Sequence, residues 1–193
     1  MLNTSNKKRE SIWINKQELL ITSLKLQPLI VVLRPTKEDF SNHFANGPLF
    51  KDIEQLNLEG IKHLEIAWSP QKEWINLIKE IQKKFPTIYL GAASITSSLA
   101  LNSVAQAGIS YAMSPVWDQS LQKQAKELNQ VLIPGVFSPS EIQKTINFGN
   151  RIIKLFPAST LGINYLQQLQ APIDSFPFVI AAGGLVSKDI KEW

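Results

Sequence analysis

Short apolar runs alternate along the chain with longer stretches in which apolar residues recur at helical spacing. Seven runs have the length and composition of buried strands, and they begin at Leu29, His63, Ile88, Tyr111, Val131, Ile152 and Phe178. Amphipathic stretches lie between them, over residues 49–58, 74–84, 97–106, 121–128, 139–148 and 162–169. This alternation predicts βα units, which build a parallel sheet buried on both faces.

Polar residues and glycines mark the predicted helix ends. Ser138, Pro139 and Glu141 combine a capping hydroxyl, a first-turn proline and an early carboxylate at one helix start. Glycine, which left-handed C-terminal caps favour, falls at three expected helix ends, namely Gly60, Gly108 and Gly149. A spacing of roughly 20 to 25 residues per strand requires compact helices and tight loops, so a small barrel fits better than a large open sheet.

The two ends of the chain complete this prediction. An amphipathic helix over residues 11–26, with Ile12, Leu19, Leu20 and Leu24 apolar, is expected to cover the barrel bottom. After the last predicted strand only a short helix start remains, over residues 188–193. We therefore predict a (β/α)8 TIM-barrel type α/β fold whose eighth strand is missing from this chain. Its first and seventh strands would have unpaired edges, so either the chain is truncated or another chain fills the gap.

Length and composition favour one folded domain. The chain has 193 residues, 44% apolar and 19% charged, as in globular proteins. We expect a single barrel domain over residues 1–193, with a basic segment and covering helix at 1–26 and the barrel at 27–193. No apolar run approaches the roughly 20 residues needed to span a bilayer, and the polar first twenty residues do not resemble a signal peptide. The sequence thus predicts a cytoplasmic protein without a membrane partner.

Charge and residue types exclude further classes. The net charge is +4, but four basic against two acidic residues in the first eighteen account for half of it, and the rest forms no basic stripe. A nucleic-acid partner is therefore not expected. The chain has no cysteine, and His43 and His63 are its only imidazoles, so neither a metal nor a cofactor is expected.

Lys154 interrupts the apolar run that begins at Ile152, where a fixed positive charge is costly. Desolvation lowers the pKa of a lysine and leaves some neutral amine, which can attack a ketone to form a carbinolamine and then an iminium. The pattern fits equally well a lysine whose stem is buried and whose ammonium reaches solvent at the barrel mouth.

Glu65 lies in a second apolar run, between Leu64 and Ile66. If both strands alternate in the same way, its carboxylate faces Lys154 and can move protons for the dehydration of a carbinolamine. A salt bridge to Lys154 without catalysis explains the same residue equally well.

Three further residues follow strands at the end where barrels place their active sites. Gly183 and Gly184 come after the seventh predicted strand, where backbone amides commonly bind phosphate, although an ordinary turn also explains a glycine pair. Arg34 follows the first strand and can bind a carboxylate or phosphate in a bidentate manner, or lie on the surface without a function.

The motifs around these residues resemble one family. IKLFPAS around Lys154 is similar to the Schiff-base lysine motif of bacterial 2-keto-3-deoxy-6-phosphogluconate (KDPG) and 4-hydroxy-2-oxoglutarate (KHG) aldolases, and HLEIA resembles the strand of their acid/base glutamate. LGAAS, MSP, IPGVFSPSE and AAGG resemble further family motifs in the same order. LIVVLR and FPASTLGINYLQQL also resemble the 2-keto-3-deoxy-6-phosphogalactonate aldolases, so the sugar epimer stays open.

The resemblance implies a class I aldolase, usually a homotrimer, that needs no cofactor and cleaves KDPG to pyruvate and glyceraldehyde 3-phosphate. Lys154 and Glu65 would be catalytic. The residues implied to bind substrate are Arg34, Ser94, Pro115, Phe156, Gly183 and Gly184. The alternatives are a KHG aldolase, which needs no phosphate site, a catalytically silent barrel that acts as a binding protein, and a truncated product that misfolds.

The chain departs from the family pattern at three places. Where many members carry an arginine after the glutamate strand, this chain has Ala67, Trp68, Ser69 and Pro70 and lacks that arginine. Ala93 stands where a glycine is common, which adds a methyl group close to the expected substrate position. The eighth strand and its glycine-serine turn, which supply half of the family's phosphate site, are missing.

Overall fold

The fold is described by a computed structural model that covers residues 4–40, 44, 47–173 and 175–193; His43 therefore lies outside the described residues. The α-helices are α1 Thr4–Leu26, α2 Pro48–Leu58, α3 Trp74–Lys84, α4 Ser98–Ala107, α5 Gln119–Glu127, α6 Pro139–Phe148, α7 Ala158–Leu161 and α8 Ile163–Gln170. The strands are β1 Ile30–Leu33, β2 His63–Ala67, β3 Tyr89–Ala93, β4 Tyr111–Met113, β5 Val131–Ile133, β6 Gly135–Val136, β7 Ile152–Leu155 and β8 Phe178–Ala181. Short 3-10 helices cover Lys37–Phe40 and Ser187–Lys191.

All strand pairs are parallel, which confirms the predicted α/β class. The strands pair in chain order, from β1 to β5 in one sheet and from β6 to β8 in a second. β5 and β6 are two parts of one predicted strand, interrupted at Pro134, which has no backbone N–H to donate. The strands therefore occupy seven successive positions, and the part of the chain described after Ala181 adds a 3-10 helix and no further strand.

Side chains alternate between the barrel interior and the surrounding helices. On β2, Leu64 and Ile66 pack in the cluster formed with α2, α3 and α4. Tyr111, Ile133 and Ile152 belong instead to a second cluster that includes apolar residues of α1. Because neighbours along a strand face opposite sides, this alternation directs Glu65 and Lys154 into the interior.

Helix α1 covers the bottom of this interior, as predicted, through Leu20, Ile21 and Leu24. The prediction was wrong for two of its apolar residues, because Ile12 and Leu19 are 38% and 57% exposed.

The side of α1 that is buried instead includes Trp13 and Gln17. Trp13 Nε1 donates to the Gln130 carbonyl at 3.2 Å, and Gln17 Oε1 accepts from the Arg151 backbone at 2.8 Å. These long-range polar contacts, rather than hydrophobicity alone, decide which side of the helix faces the barrel.

The predicted helix caps are present. Ser138 and Glu141 form a capping box at the start of α6, and Gly108 and Gly149 end α4 and α6 in the left-handed conformation. Gly60, after α2, also has a positive φ of 79°. Across the described ranges, no helix has both the length and the apolar character that crossing a membrane requires.

Candidate active site

Glu65 is a buried carboxylate in the barrel interior. It lies in the middle of β2, pairs in register with Val32 and Gly91, and is 1% exposed. Burial raises the pKa of Glu65 from 4.5 to about 7, while the positive charge of Lys154 acts in the opposite direction. Its Oε1 atom is buried and has no hydrogen-bond partner among the described residues. Glu65 can therefore hold or release a proton near neutral pH.

Lys154 enters the same interior from β7, where it pairs in register with Gly135 and Ile180. Burial lowers the pKa of Lys154; the Glu65 carboxylate raises it and the Arg34 guanidinium lowers it further. Its Nζ atom lies 4.8 Å from the centroid of the Phe156 ring. The amine is thus half-buried, beside an aromatic face, and shifted toward its neutral form.

Arg34 is exposed and follows β1 directly, while its charge acts on Lys154. Arg34 directly follows β1 and Lys154 lies one residue before the end of β7, so both residues are near the carboxyl ends of parallel strands. A pair of cations at the barrel mouth favours an anionic ligand.

Pro115 and Ser94 each follow a strand on the side of the barrel where Lys154 lies. A Cβ atom built on Gly135 would come within 2.3 Å of the Pro115 backbone, so Pro115 packs directly over the residue that pairs with Lys154. Ser94 is exposed and has a φ of 66°, which non-glycine residues adopt uncommonly. Such a backbone conformation directs a hydroxyl where a regular strand would not.

Gly183 and Gly184 both have positive φ values, 92° and 73°, directly after β8. A Cβ atom on Gly183 would lie 2.8 Å from two carbons of the Phe156 ring, and one on Gly184 would meet Ser159 Oγ. The Ser159 backbone N–H donates to the Gly183 carbonyl at 3.1 Å. The glycine pair therefore packs against the segment that carries Lys154 and Phe156.

Tyr111 is a further residue of the interior, and its sequence context predicts no function for it. This residue is fully buried in the interior, and burial together with Glu65 and Tyr89 raises its pKa well above the usual value. The alternation along Tyr111, Ala112 and Met113 could have indicated this position, because it places the phenol on the same strand face as Met113.

The two tryptophans that follow strands pack against other apolar side chains. Trp68 packs against the helix-side cluster, and Trp117 makes an edge contact with Phe148 at 5.6 Å between ring centroids. Nowhere in the described ranges do three histidine or acidic side chains come together as a metal site would require.

Comparison with known proteins gives a consistent result. The family model described as KDPG and KHG aldolase matches residues 21–193. The KHG/KDPG aldolase of Escherichia coli (strain K12) is 28% identical over 182 residues, which cover 94% of this chain and 79% of that protein. The 2-dehydro-3-deoxy-phosphogluconate aldolase of Pseudoalteromonas atlantica (strain T6c / ATCC BAA-1087) is 30% identical over 153 residues, covering 72% of this chain and 71% of that one.

A similar solved structure is the KDPG aldolase from Legionella pneumophila with pyruvate captured at low pH as a covalent carbinolamine intermediate. It superposes with a TM-score of 0.73 at 25% identity, over 86% of this chain and 76% of that one.

Proposed function

Because the chain belongs to the KDPG and KHG aldolase family, we propose that it is a class I aldolase whose Lys154 forms a Schiff base with pyruvate. The observation that supports this most directly is that Lys154 and Glu65 share one buried interior and carry pKa values shifted toward each other. An amine that is partly neutral and a carboxyl that titrates near pH 7 are the two groups that this chemistry requires.

The reaction begins at the Lys154 amine. Its lone pair attacks the C2 ketone of the substrate, and a proton transfer gives a neutral carbinolamine. Protonated Glu65 then gives a proton to the departing hydroxyl, water leaves, and an iminium remains on Nζ. The Phe156 ring lies beside this nitrogen, and its face favours the positive charge of the iminium.

Cleavage follows from the electron demand of the iminium. Glu65, now ionised, accepts the proton of the C4 hydroxyl, and the C3–C4 bond breaks. C4 leaves as an aldehyde. The electron pair of the broken bond forms the C2–C3 double bond of an enamine. The enamine takes the proton back at C3, and hydrolysis of the resulting iminium releases pyruvate and restores the lysine. Glu65 alternates between acid and base, which a pKa of about 7 permits at neutral pH.

The groups at the mouth are proposed to bind the rest of the substrate. Ser94, Pro115 and Phe156 would line the pyruvate end, close to Lys154. Arg34 and the backbone of Gly183 and Gly184 would hold a phosphate, since a guanidinium and backbone amides at positive φ are common phosphate ligands.

We propose KDPG, or the epimeric phosphogalactonate, as the substrate. Arg34 supports this choice because its charge acts at the barrel mouth without an ion-pair partner among the described residues. KHG is the second candidate. Because the stretch from Ala67 to Pro70 contains no arginine, groups elsewhere in the site must bind the carboxylate of any keto-acid substrate.

Rates of pyruvate release separate these substrates. Coupling pyruvate to lactate dehydrogenase with KDPG, its galacto epimer and KHG should give the highest kcat/KM for a phosphorylated substrate. Lys154→Met should abolish release, while Lys123→Met, a change of an exposed lysine on α5, should not. Pyruvate from KHG alone would favour the second candidate, and no release from any substrate would favour a catalytically silent barrel.

Family resemblance also leads us to propose a cytoplasmic homotrimer formed by a single barrel domain. Light scattering coupled to size exclusion tests the trimer: a mass near three times 21.7 kDa supports it, and a monomer contradicts it.

A further inference from the structure

Three neighbouring strands place Glu65, Gly91 and Tyr111 at one level of the sheet. Glu65 pairs in register with Gly91, and Gly91 pairs with Tyr111. Tyr111 faces the interior, where it packs with Met113 and Ile133. Only a glycine therefore stands between the carboxylate and the phenol.

The Tyr111 ring fills the space in front of Gly91. A Cβ atom built on Gly91 would come within 2.4 Å of Tyr111 Cζ, and 2.5 and 2.8 Å from the two neighbouring ring carbons. Cζ carries the hydroxyl, so the polar end of the side chain extends from β4 across β3. The absence of a side chain at position 91 is what permits this direction toward β2 and Glu65.

Both polar atoms are buried without partners. Within the described part of the chain, Glu65 Oε1 and Tyr111 Oη make no hydrogen bond, and their residues are 1% and 0% exposed. Buried polar atoms without partners are uncommon because desolvation is then not compensated. A phenol can donate and an ionised carboxylate can only accept, so the two atoms are complementary.

We propose that Tyr111 is a positioning residue whose hydroxyl donates a hydrogen bond to one bridging water, which in turn donates to the Glu65 carboxylate and holds it toward Lys154. The effect on catalysis rests on the proposed function, whereas the hydrogen bond itself does not. Burial and the Glu65 charge keep the pKa of Tyr111 well above its usual range, so the phenol remains a neutral donor.

The hydrogen bond has a defined electrostatic consequence. Donation to the ionised form stabilises that form and lowers the pKa of the carboxyl relative to burial alone. Lys154 from β7 is the charged group that acts on Glu65, and Arg34 after β1 acts on Lys154. Tyr89 on β3 stacks on Tyr111, and His63 lies on β2 two residues before Glu65. Tyr111→Phe leaves all four in place and removes only the donor.

The direct test is a carbon-13 NMR titration of the Glu65 carboxyl in the full chain. Tyr111→Phe should raise the titration midpoint of Glu65 by about one pH unit, a tenfold change in proton affinity. Tyr89→Phe is the matched control: its ring stacks on Tyr111 at 5.9 Å between centroids, and its loss of a hydroxyl should leave the midpoint unchanged. An unchanged midpoint in Tyr111→Phe, or an equal shift in Tyr89→Phe, overturns the proposal.

A second measurement keeps a phenol at position 111. Biosynthetic replacement of tyrosine by 3-fluorotyrosine makes the phenol a stronger donor, so the Glu65 midpoint should fall instead of rise; no fall would contradict the hydrogen bond. This result is available even if Tyr111→Phe folds poorly.

Activity then separates positioning from structure. Tyr111→Phe should lower kcat about tenfold, with KM unchanged and its pH profile shifted upward by the same unit as the Glu65 midpoint. If the parent protein is active and Tyr111→Phe has the same pH profile as the parent, the positioning role is overturned. If the parent traps no pyruvate at Lys154, the proposed function fails, and the NMR titration still decides whether Tyr111 binds Glu65.

Discussion

Glu65 and Lys154 project into one barrel interior from β2 and β7, and each shifts the pKa of the other without forming an ion pair. The ion pairs in the described part of the chain are Lys84–Glu54 and Lys126–Glu10, both on the surface. This arrangement contradicts the alternative of a simple salt bridge.

Burial of Glu65 predicts a pH-dependent stability. Its pKa rises from 4.5 to about 7 on folding, so the folded protein binds this proton more tightly than the unfolded chain. The stabilising effect is complete below pH 4.5 and is lost as the pH rises to about 7. Over this pH range the free energy of unfolding of the parent should fall by on the order of 3 kcal/mol relative to that of Glu65→Gln, as measured by urea unfolding.

Titrating groups outside the Glu65–Lys154 pair affect both proteins and cancel in that comparison, including His63, whose pKa is lowered by burial and Lys62. Parallel stability curves for parent and Glu65→Gln would contradict a buried carboxyl with a raised pKa.

Removal of the Arg34 charge should shift the reactivity of Lys154 to higher pH. The guanidinium lowers the pKa of Lys154, so Arg34→Gln should raise it and reduce the neutral amine at a given pH. The pH dependence of pyruvate trapping by borohydride measures this shift. Arg151→Gln is the control, because Arg151 is exposed and precedes β7 at its opposite end.

Arg34→Gln should also raise KM for a phosphorylated substrate about tenfold, and leave KM for KHG nearly unchanged. Equal effects on both substrates would remove the reason for assigning Arg34 to the phosphate.

Because Ser94 has a left-handed backbone, two substitutions at this position should differ in their effect on stability but not in their effect on substrate binding. Ser94→Gly and Ser94→Ala both remove the hydroxyl, but only alanine keeps a Cβ at a φ of 66°. Thermal unfolding should show Ser94→Gly to be more stable than Ser94→Ala by about 1 kcal/mol. Both should raise KM for the keto acid equally; unchanged KM values would exclude the hydroxyl from the substrate site.

Gly183 is expected to tolerate no side chain. Gly183→Ala adds a methyl group at a φ of 92°, 2.8 Å from the Phe156 ring beside Lys154. It should destabilise the fold by about 2 kcal/mol or more and lower kcat/KM. Gly60→Ala has a similar φ of 79° with no atom within 4 Å, so it measures the backbone contribution alone. Equal losses in the two variants would show that contact with Phe156 is unimportant.

The strands were predictable from sequence because each is a short apolar run between polar turns. The observed bounds of α3 and α6 agree with the predicted ones. The start of α6 was predictable because Ser138 and Glu141 form its cap within a short local stretch of sequence. Pro134 divides one predicted strand into β5 and β6, and α7 was missed because a helix of four residues has no periodicity to detect.

The site could be predicted only in part. A charge within an apolar run singles out Lys154 and Glu65 without knowledge of any contact. The relation of Tyr111 to Glu65 depends on strand register and on the missing side chain of Gly91, neither of which a single sequence displays. The exposure of Leu19 likewise goes with the burial of Gln17, whose Oε1 accepts from the backbone N–H of Arg151, a residue far away in sequence.

Reduction of the protein with borohydride in the presence of pyruvate, followed by intact and peptide mass spectrometry, shows whether Lys154 forms the Schiff base. We expect one pyruvate-derived adduct, located on the peptide that contains Lys154 and absent from folded Lys154→Met. No adduct on the folded parent, or an adduct that persists in Lys154→Met, would contradict the assignment of Lys154 as the Schiff-base lysine.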